Sequence, residues 1–287
     1  MRTLLQALND ANASKQALGH FNISEIAALN AIVDVARETH LPAIVGLSEG
    51  ERKFFGARQA AAVVHSIREE SGLELYLDAD HTHTLQSAEE AARSGYELIV
   101  FDASEKPFEE NASLTKKVVE AAKSIRPEIL IEGEIGFIGS GSQLHETPQA
   151  TVVLTSPEEA RQFAEATRVD LLSPAVGTMH GMLPGMLRGE VHKHLDIPRI
   201  AEISKATQLY LTLHGGSGTA DDDFVRSIEA GIRIIHVNTE LRIAWRRGLE
   251  AAFAANAKEF VPYTLLAGAR SQIADVVRNR LRLFSRS

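Results

Sequence analysis

Eight short apolar runs, each followed by a helical pattern, leave few folds open to this chain. The runs are ALGHFNI (17–23), PAIVGLS (42–48), LELYLDAD (73–80), ELIVFDAS (97–104), ILIEGEIG (129–136), DLLSPAVG (170–177), LYLTLHGG (209–216) and RIIHVNT (233–239). Between them stand segments such as EIAALNAIVDVARET, NASLTKKVVEAAKSI and SPEEARQFAEAT, several opening on Ser, Asn or Asp as N-caps. Strand–helix alternation predicts a parallel sheet. Eight repeats with continuously apolar strands predict an α/β fold closed into a (β/α)₈ TIM barrel, rather than an open doubly wound sheet.

The first seventeen residues predict a helix capping the barrel bottom. AWRRGLEAAFAANA (244–257) predicts the last helix, and ARSQIADVVRNRLRLF (269–284) a C-terminal helical extension. No linker or low-complexity tract interrupts the chain, so residues 1–287 read as a single domain. Its length and 44% apolar content suit one barrel of roughly 250 residues.

Composition removes several chemistries. With no cysteine there are no disulfides, thiolate metal sites or cysteine nucleophiles, which leaves eleven histidines as the candidates for a soft metal. A net charge of −8 with scattered basic residues argues against nucleic-acid and anionic-membrane partners. The N-terminal stretch is broken by Asn9, Asp10 and Asn12, and no run approaches about 18 apolar residues, so a cytoplasmic location is expected.

In such barrels the chemistry gathers at the C-terminal ends of the strands. Those ends supply Asn22, Ser48, Asp80 with His81, Asp102, Glu134, His180 just past Gly177, His214, and His236 with Asn238. His81, His180 and His214 form a three-histidine set with an open position, as expected of catalytic zinc; only the barrel can bring them together. Phosphate binds in many barrels between the loops after strands seven and eight. Here Gly215, Gly216 and Ser217 offer unobstructed backbone N–H groups and a hydroxyl, and Asn238 and Thr239 close the cup. A nucleophile elbow is excluded because Thr219 stands where its second glycine belongs.

These residues resemble the class II, metal-dependent ketose-phosphate aldolases. The resemblance runs through GHFNISEIAALNAIVDVA, LDADHTHTLQ, EGEIGFIGS, VGTMHG, LHGGSG and VNTELRIAW in that order, nearly end to end. It implies a zinc-dependent lyase that cleaves a ketose bisphosphate, such as fructose 1,6-bisphosphate, to dihydroxyacetone phosphate and glyceraldehyde 3-phosphate. Zinc would be held by His81, His180 and His214, with Asp102 and Glu134 lining a second or alternative metal position. Asp80 would exchange a proton with the C4 hydroxyl. Gly181, Gly215, Gly216, Ser217, Asn238 and Thr239 would bind dihydroxyacetone phosphate, Gly181 and Gly215 also helping to hold a sodium or potassium ion. Asn22 and Ser48 would face the substrate. Family members commonly form homodimers or homotetramers. A class I mechanism would need a lysine at a strand end; the nearest, Lys106, lies beyond Asp102 and reads as solvated.

The chain departs from the family pattern in three places. Strand eight carries Ile234, His236 and Asn238 where lysine, asparagine and aspartate are usual, so His236 is either a hydrogen-bonding substitute or an additional proton-transfer group. The loop GSGSQLHETP offers its first carboxylate only at Glu146, which with His145 is the candidate for the lid acid–base. FVPYTLLAG stands where relatives bind the second phosphate with arginine, leaving Arg270 or Arg280 to compensate. Two further readings stay open: a metal-independent isomerase or synthase using Asp80 and His81, and a sugar-phosphate-binding barrel without turnover.

Overall fold

The computed structural model describes residues 2–139, 141–146 and 153–286. Among them eight parallel strands close into a barrel: β1 (Leu18–Asn22), β2 (Ala43–Gly46), β3 (Leu75–Thr82), β4 (Leu98–Phe101), β5 (Leu130–Ile135), β6 (Leu171–Pro174), β7 (Tyr210–Leu213) and β8 (Ile232–Val237). Closure comes from β1 against β8, with Leu18 opposite Ile234 and His20 opposite His236. Each strand lies within the run expected of it or ends within two residues of it, and helices fill the intervals. No helix among the described residues is long and apolar enough to cross a membrane.

Side chains alternate across a strand, so each strand points every second residue into the barrel. The lowest inward positions are Leu18, Ile44, Tyr76, Leu98, Leu130, Leu171 and Ile234, and they form one apolar cluster with Leu4, Ala7, Leu8 and Ala11 of the helix Leu4–Ala13. That helix, opened by a Thr3–Gln6 capping box, plugs the bottom as expected. The intervening residues, such as Phe21, Val45, Leu77, Ile99, Ile131 and Ile235, belong to the larger cluster shared with the surrounding helices.

Two residues above the apolar floor the inward positions turn polar. His20, Asp78, Glu132, Thr212 and His236 are all buried there. Gly46 is required at this level, since a Cβ on it would stand 2.1 Å from the His20 ring. Two residues higher again come Asn22, Asp80, Asp102, Glu134, His214 and Asn238, the top of the barrel. The fold thus lifts the chemistry onto a floor of hydrocarbon and a layer of buried polar groups.

Two features of the fold differ from the sequence expectation. A short helix, Glu49–Phe55, follows β2, because Ser48 and Glu51 make a capping box. The helix after β8 starts at Thr239, five residues before the apolar pattern suggested, which puts its N-terminus at the rim.

Candidate active site

His81 sits where β3 loses register with β4, between Ala79 and Thr82, and its φ is +42°. A bulge of this kind re-aims a side chain. Buried Arg52 pins the distortion, donating to the Asp80 carbonyl at 3.0 Å and to Thr82 Oγ1 at 2.9 Å. The His81 ring thereby meets those of His180 and His214, each with centroids 4.8 Å away. Nitrogens of these three histidines and a Glu134 oxygen all lie within 4.8 Å of one another. Asp102 stands outside this set.

Carboxylates orient two of the rings. His81 Nδ1 lies 3.1 Å from Asp102 Oδ2, and His214 Nε2 lies 2.7 Å from Glu132 Oε1. With those nitrogens engaged, His81 Nε2 and His214 Nδ1 face each other at 3.2 Å. Two unshared nitrogen positions aimed at one point suit a cation held between them. Glu134 Oε2 is buried without a hydrogen-bond partner, 3.6 Å from His81 Nδ1. Burial and the neighbouring Asp102 charge push the Glu134 carboxyl up to about 8. Three nitrogens with an unsatisfied buried carboxylate fit the ligand preferences of zinc.

Asp80 is fixed by Asn22, whose Nδ2 donates to Asp80 Oδ2 at 2.8 Å and to Glu51 Oε2 at 3.0 Å. Asp80 Oδ1 lies 3.5 Å from His236 Nδ1 and 3.9 Å from His81 Nε2. Burial opposes ionisation of Asp80, yet His81, His236 and His20 together hold its carboxyl well below the usual range. His236 is stacked between His20 and His214, with centroids 3.8 Å away on each side. Burial, aided by His20 and His214, keeps the His236 pKa well below that of a free imidazole.

The residues expected to form an anion cup lie beside this cluster. Gly215 has φ +62°, and a Cβ there would stand 2.5 Å from the Met179 carbonyl oxygen. Gly181, at φ +72°, packs against the His145 ring and the Gln143 carbonyl. The helix Thr239–Ala255 begins beside them with Asn238 as N-cap; the Asn238 side chain makes no cap hydrogen bond, and Ser217 Oγ accepts from Glu240 N at 3.3 Å. The remaining first-turn N–H groups, with the dipole's positive end, favour an anion.

A pocket on the barrel axis is lined by Asn22, Asp80, His81, His180, His214 and His236 together with Gly181, Gly215, Ser217, Asn238 and Thr239. It shares Asp80, His81, His180 and Asn238 with a cleft of about 540 Å³ that also touches Ser48 and Asp102. That volume suits a small ligand. Gly216 lies between the cup residues without lining the pocket, its would-be Cβ 2.8 Å from the His236 carbonyl oxygen.

Other residues named from sequence do not line the axial pocket. Glu146 is exposed and borders neither cavity, and residues 147–152 lie outside the described residues. Lys106 is exposed and pairs with Glu110 at 3.4 Å, and it lines the outer cleft. Arg270 is engaged by Asp34, and Arg280 by Glu240 and Asp221. Arg242 also reaches the outer cleft, bonded to the Ser142 carbonyl at 2.9 Å and Glu51 at 2.8 Å. His20, Asp78, Glu132, Arg242 and Lys193 were missed from sequence. The first three were detectable by counting two residues inward from each rim position.

A closed (β/α)₈ barrel with ionisable side chains crowded at its C-terminal rim is the build of a TIM-barrel enzyme. Residues 2–287 match the family described as fructose-bisphosphate aldolase class-II. The chain is 32% identical over 288 residues to a probable fructose-bisphosphate aldolase of Bacillus subtilis (strain 168), covering 99% of this chain and 98% of that protein. It is also 32% identical over 303 residues to the fructose-bisphosphate aldolase of Thermus caldophilus, covering 98% and 97%. Among solved structures, the YdjI aldolase of Escherichia coli K12 superposes with a TM-score of 0.79 at 25% identity over 99% of this chain and 96% of that one. A putative aldolase from Coccidioides immitis, at 24% identity and TM-score 0.83 over 98% and 95%, shares the fold. The chain belongs to the class II fructose-bisphosphate aldolase family. It is accordingly an aldolase, a carbon–carbon lyase.

Proposed function

We propose that this aldolase reversibly cleaves a ketose 1-phosphate or 1,6-bisphosphate, with fructose 1,6-bisphosphate the first candidate, to dihydroxyacetone phosphate and an aldehyde. The observation that carries the reading is the meeting of three histidines and Glu134 within 4.8 Å at a pocket whose other wall is Gly181, Gly215, Ser217 and the start of the helix Thr239–Ala255. His81, His180 and His214, with Glu134 beside them, would hold zinc, which supplies Lewis-acid polarisation of the ketose carbonyl.

The chain's own groups account for the remaining requirements. The cup residues anchor the phosphate and so fix the ketose against the histidines. Asp80, ionised and held by Asn22, accepts the proton of the hydroxyl on the carbon that leaves as aldehyde. A neutral His236 beside Asp80 serves as a hydrogen-bonding group rather than a cationic acid. The aldehyde half extends into the outer cleft, where a second phosphate meets Arg242. A cytoplasmic homo-oligomer is the form expected by analogy with the family.

The test is a coupled assay for dihydroxyacetone phosphate release from fructose, tagatose and shorter ketose phosphates, with and without chelator. Release that chelator abolishes and zinc restores supports the reading. Release that survives exhaustive chelation favours a metal-independent enzyme, and sugar-phosphate binding without release favours a binding protein.

A further inference from the structure

Lys193 lies in the long segment between β6 and the helix Ile197–Thr207, and the aldol reaction assigns it no task. It is 4% exposed, although lysine ordinarily keeps its ammonium in water. Four backbone carbonyl oxygens converge on its Nζ, Met179 at 2.7 Å, Gly181 at 2.7 Å, Gly215 at 2.8 Å and Ser217 at 2.6 Å, one more than its three N–H groups can serve singly. No carboxylate forms an ion pair with it among the described residues; burial pushes its ammonium down to about 7, Glu240 opposing from farther away. The backbone holds it as well, Lys193 N donating to the Gly218 carbonyl at 3.1 Å.

A salt-bridged lysine finds a carboxylate, and a space-filling one has no need of four oxygens converging on its nitrogen. Converging backbone carbonyls are how proteins replace the hydration shell of a bare monovalent cation. The sequence resemblance implied a sodium or potassium ion held with help from Gly181 and Gly215. Both of those carbonyls already face the ammonium, so a free ion does not fit there.

We propose that Lys193 is a built-in cation, its ammonium standing in for a free monovalent ion and tying the loops after β6 and β7 into their binding shape. The cage reaches both loops at telling points: Met179 and Gly181 flank His180, and Gly215 follows His214. In a planar trans peptide the oxygen and the N–H point in opposite directions, so drawing four carbonyls inward turns four N–H groups away. Three of these have acceptors: His180 N on Ile138 O at 3.0 Å, Met182 N on Gln143 O at 3.0 Å, and Gly218 N on Glu240 Oε1 at 3.0 Å. The fourth, on Gly216, has none among the described residues; it lies between pocket-lining Gly215 and Ser217, where an anion seated in the cup would be its acceptor. This phosphate role rests on the cup reading above; the replacement of the ion does not.

The experiment compares the zinc-loaded wild type with Lys193→Ala and Lys193→Met in potassium chloride and in choline chloride at equal ionic strength. Thallium(I) binding by NMR and dihydroxyacetone phosphate affinity by calorimetry are the readouts. The wild type is expected to bind no thallium and to hold its ligand equally in both salts. Lys193→Ala should bind thallium, and in choline should lose roughly tenfold or more in ligand affinity, recovered by potassium. Lys193→Met, which fills the space without charge, should lose the same affinity and not recover. Thallium bound by the wild type in this cage, or wild-type affinity that rises with potassium, overturns the proposal. Thallium binding by Lys193→Ala with unchanged ligand affinity upholds the built-in cation and overturns the phosphate role. Should neither variant fold, the wild-type response to potassium decides alone: indifference upholds the proposal and stimulation overturns it.

Discussion

The His236 ring lies against the His214 ring, centroids 3.8 Å apart and planes 26° from parallel, and that contact binds β8 to the histidine that Glu132 orients. On its other face His236 meets His20 at the same separation, so three imidazoles stack beneath the rim. Replacing His236 by Asn keeps a hydrogen-bonding group and removes a ring from the stack. We expect zinc content to stay near one equivalent while turnover falls about 10- to 100-fold, within the range that a changed neighbour of a metal site costs in activity. Elemental analysis beside steady-state kinetics checks this; loss of zinc in the variant would instead make His236 a support of the metal.

The rim was legible in the sequence because strand ends can be counted, and a closed barrel brings every end to one place. His81, His180 and His214 are far apart in the chain, yet eight strands suffice to predict that they meet. The layer below was hidden: His20, Asp78 and Glu132 sit inside runs that read as continuously apolar, and only the two-residue alternation exposes them as inward. Lys193 was not legible at all, since the segment between β6 and Ile197 has no period that says which side chain turns inward. Arg270 and Arg280 illustrate the reverse difficulty. Their charge was visible, but the carboxylates that engage them lie 236 residues away for Asp34 and 40 and 59 away for Glu240 and Asp221.

Asp80 tests the assignment of proton transfer separately from metal binding. Asn22 holds it, with His236 Nδ1 3.5 Å away, and it is not one of the three histidines and Glu134 that cluster for the metal. Asp80→Ala should therefore retain zinc and slow cleavage by about 10²- to 10⁴-fold, the usual worth of a positioned acid–base group. Unchanged turnover in a zinc-loaded Asp80→Ala protein would remove it from the mechanism.

Gly215 is constrained twice, by its left-handed φ of +62° and by the Met179 carbonyl that a Cβ would approach to 2.5 Å. That carbonyl is also one of the four around Lys193. An alanine at 215 must shift the loop or strain it, at a cost of about 1–3 kcal/mol. The expected outcome is a KM for the ketose phosphate raised about tenfold or more, with zinc affinity changed far less. Equal losses in both would mean that the loop serves the metal rather than the phosphate.

Asp78 lies in the buried layer, bonded to His20 Nε2 at 2.8 Å, with Asp80 and Glu132 as its acidic neighbours. Burial raises its carboxyl from 3.8 to about 6, with the His20 hydrogen bond opposing. A native state that holds this proton more tightly than the unfolded chain loses stability as pH rises. The contribution of the protonated form is complete below about 4 and is lost as pH passes through about 6. The two-unit difference corresponds to about 3 kcal/mol. Asp78→Asn cannot ionise yet still hydrogen-bonds to His20, so its unfolding free energy should lack this decline. Urea unfolding of both proteins between pH 4 and 8, with chelator present to remove the metal's own proton linkage, measures the difference. Wild type minus variant should fall with rising pH and level off above about 7; a difference that stays flat or rises would mean that Asp78 remains ionised throughout and that the layer holds its charge by other means.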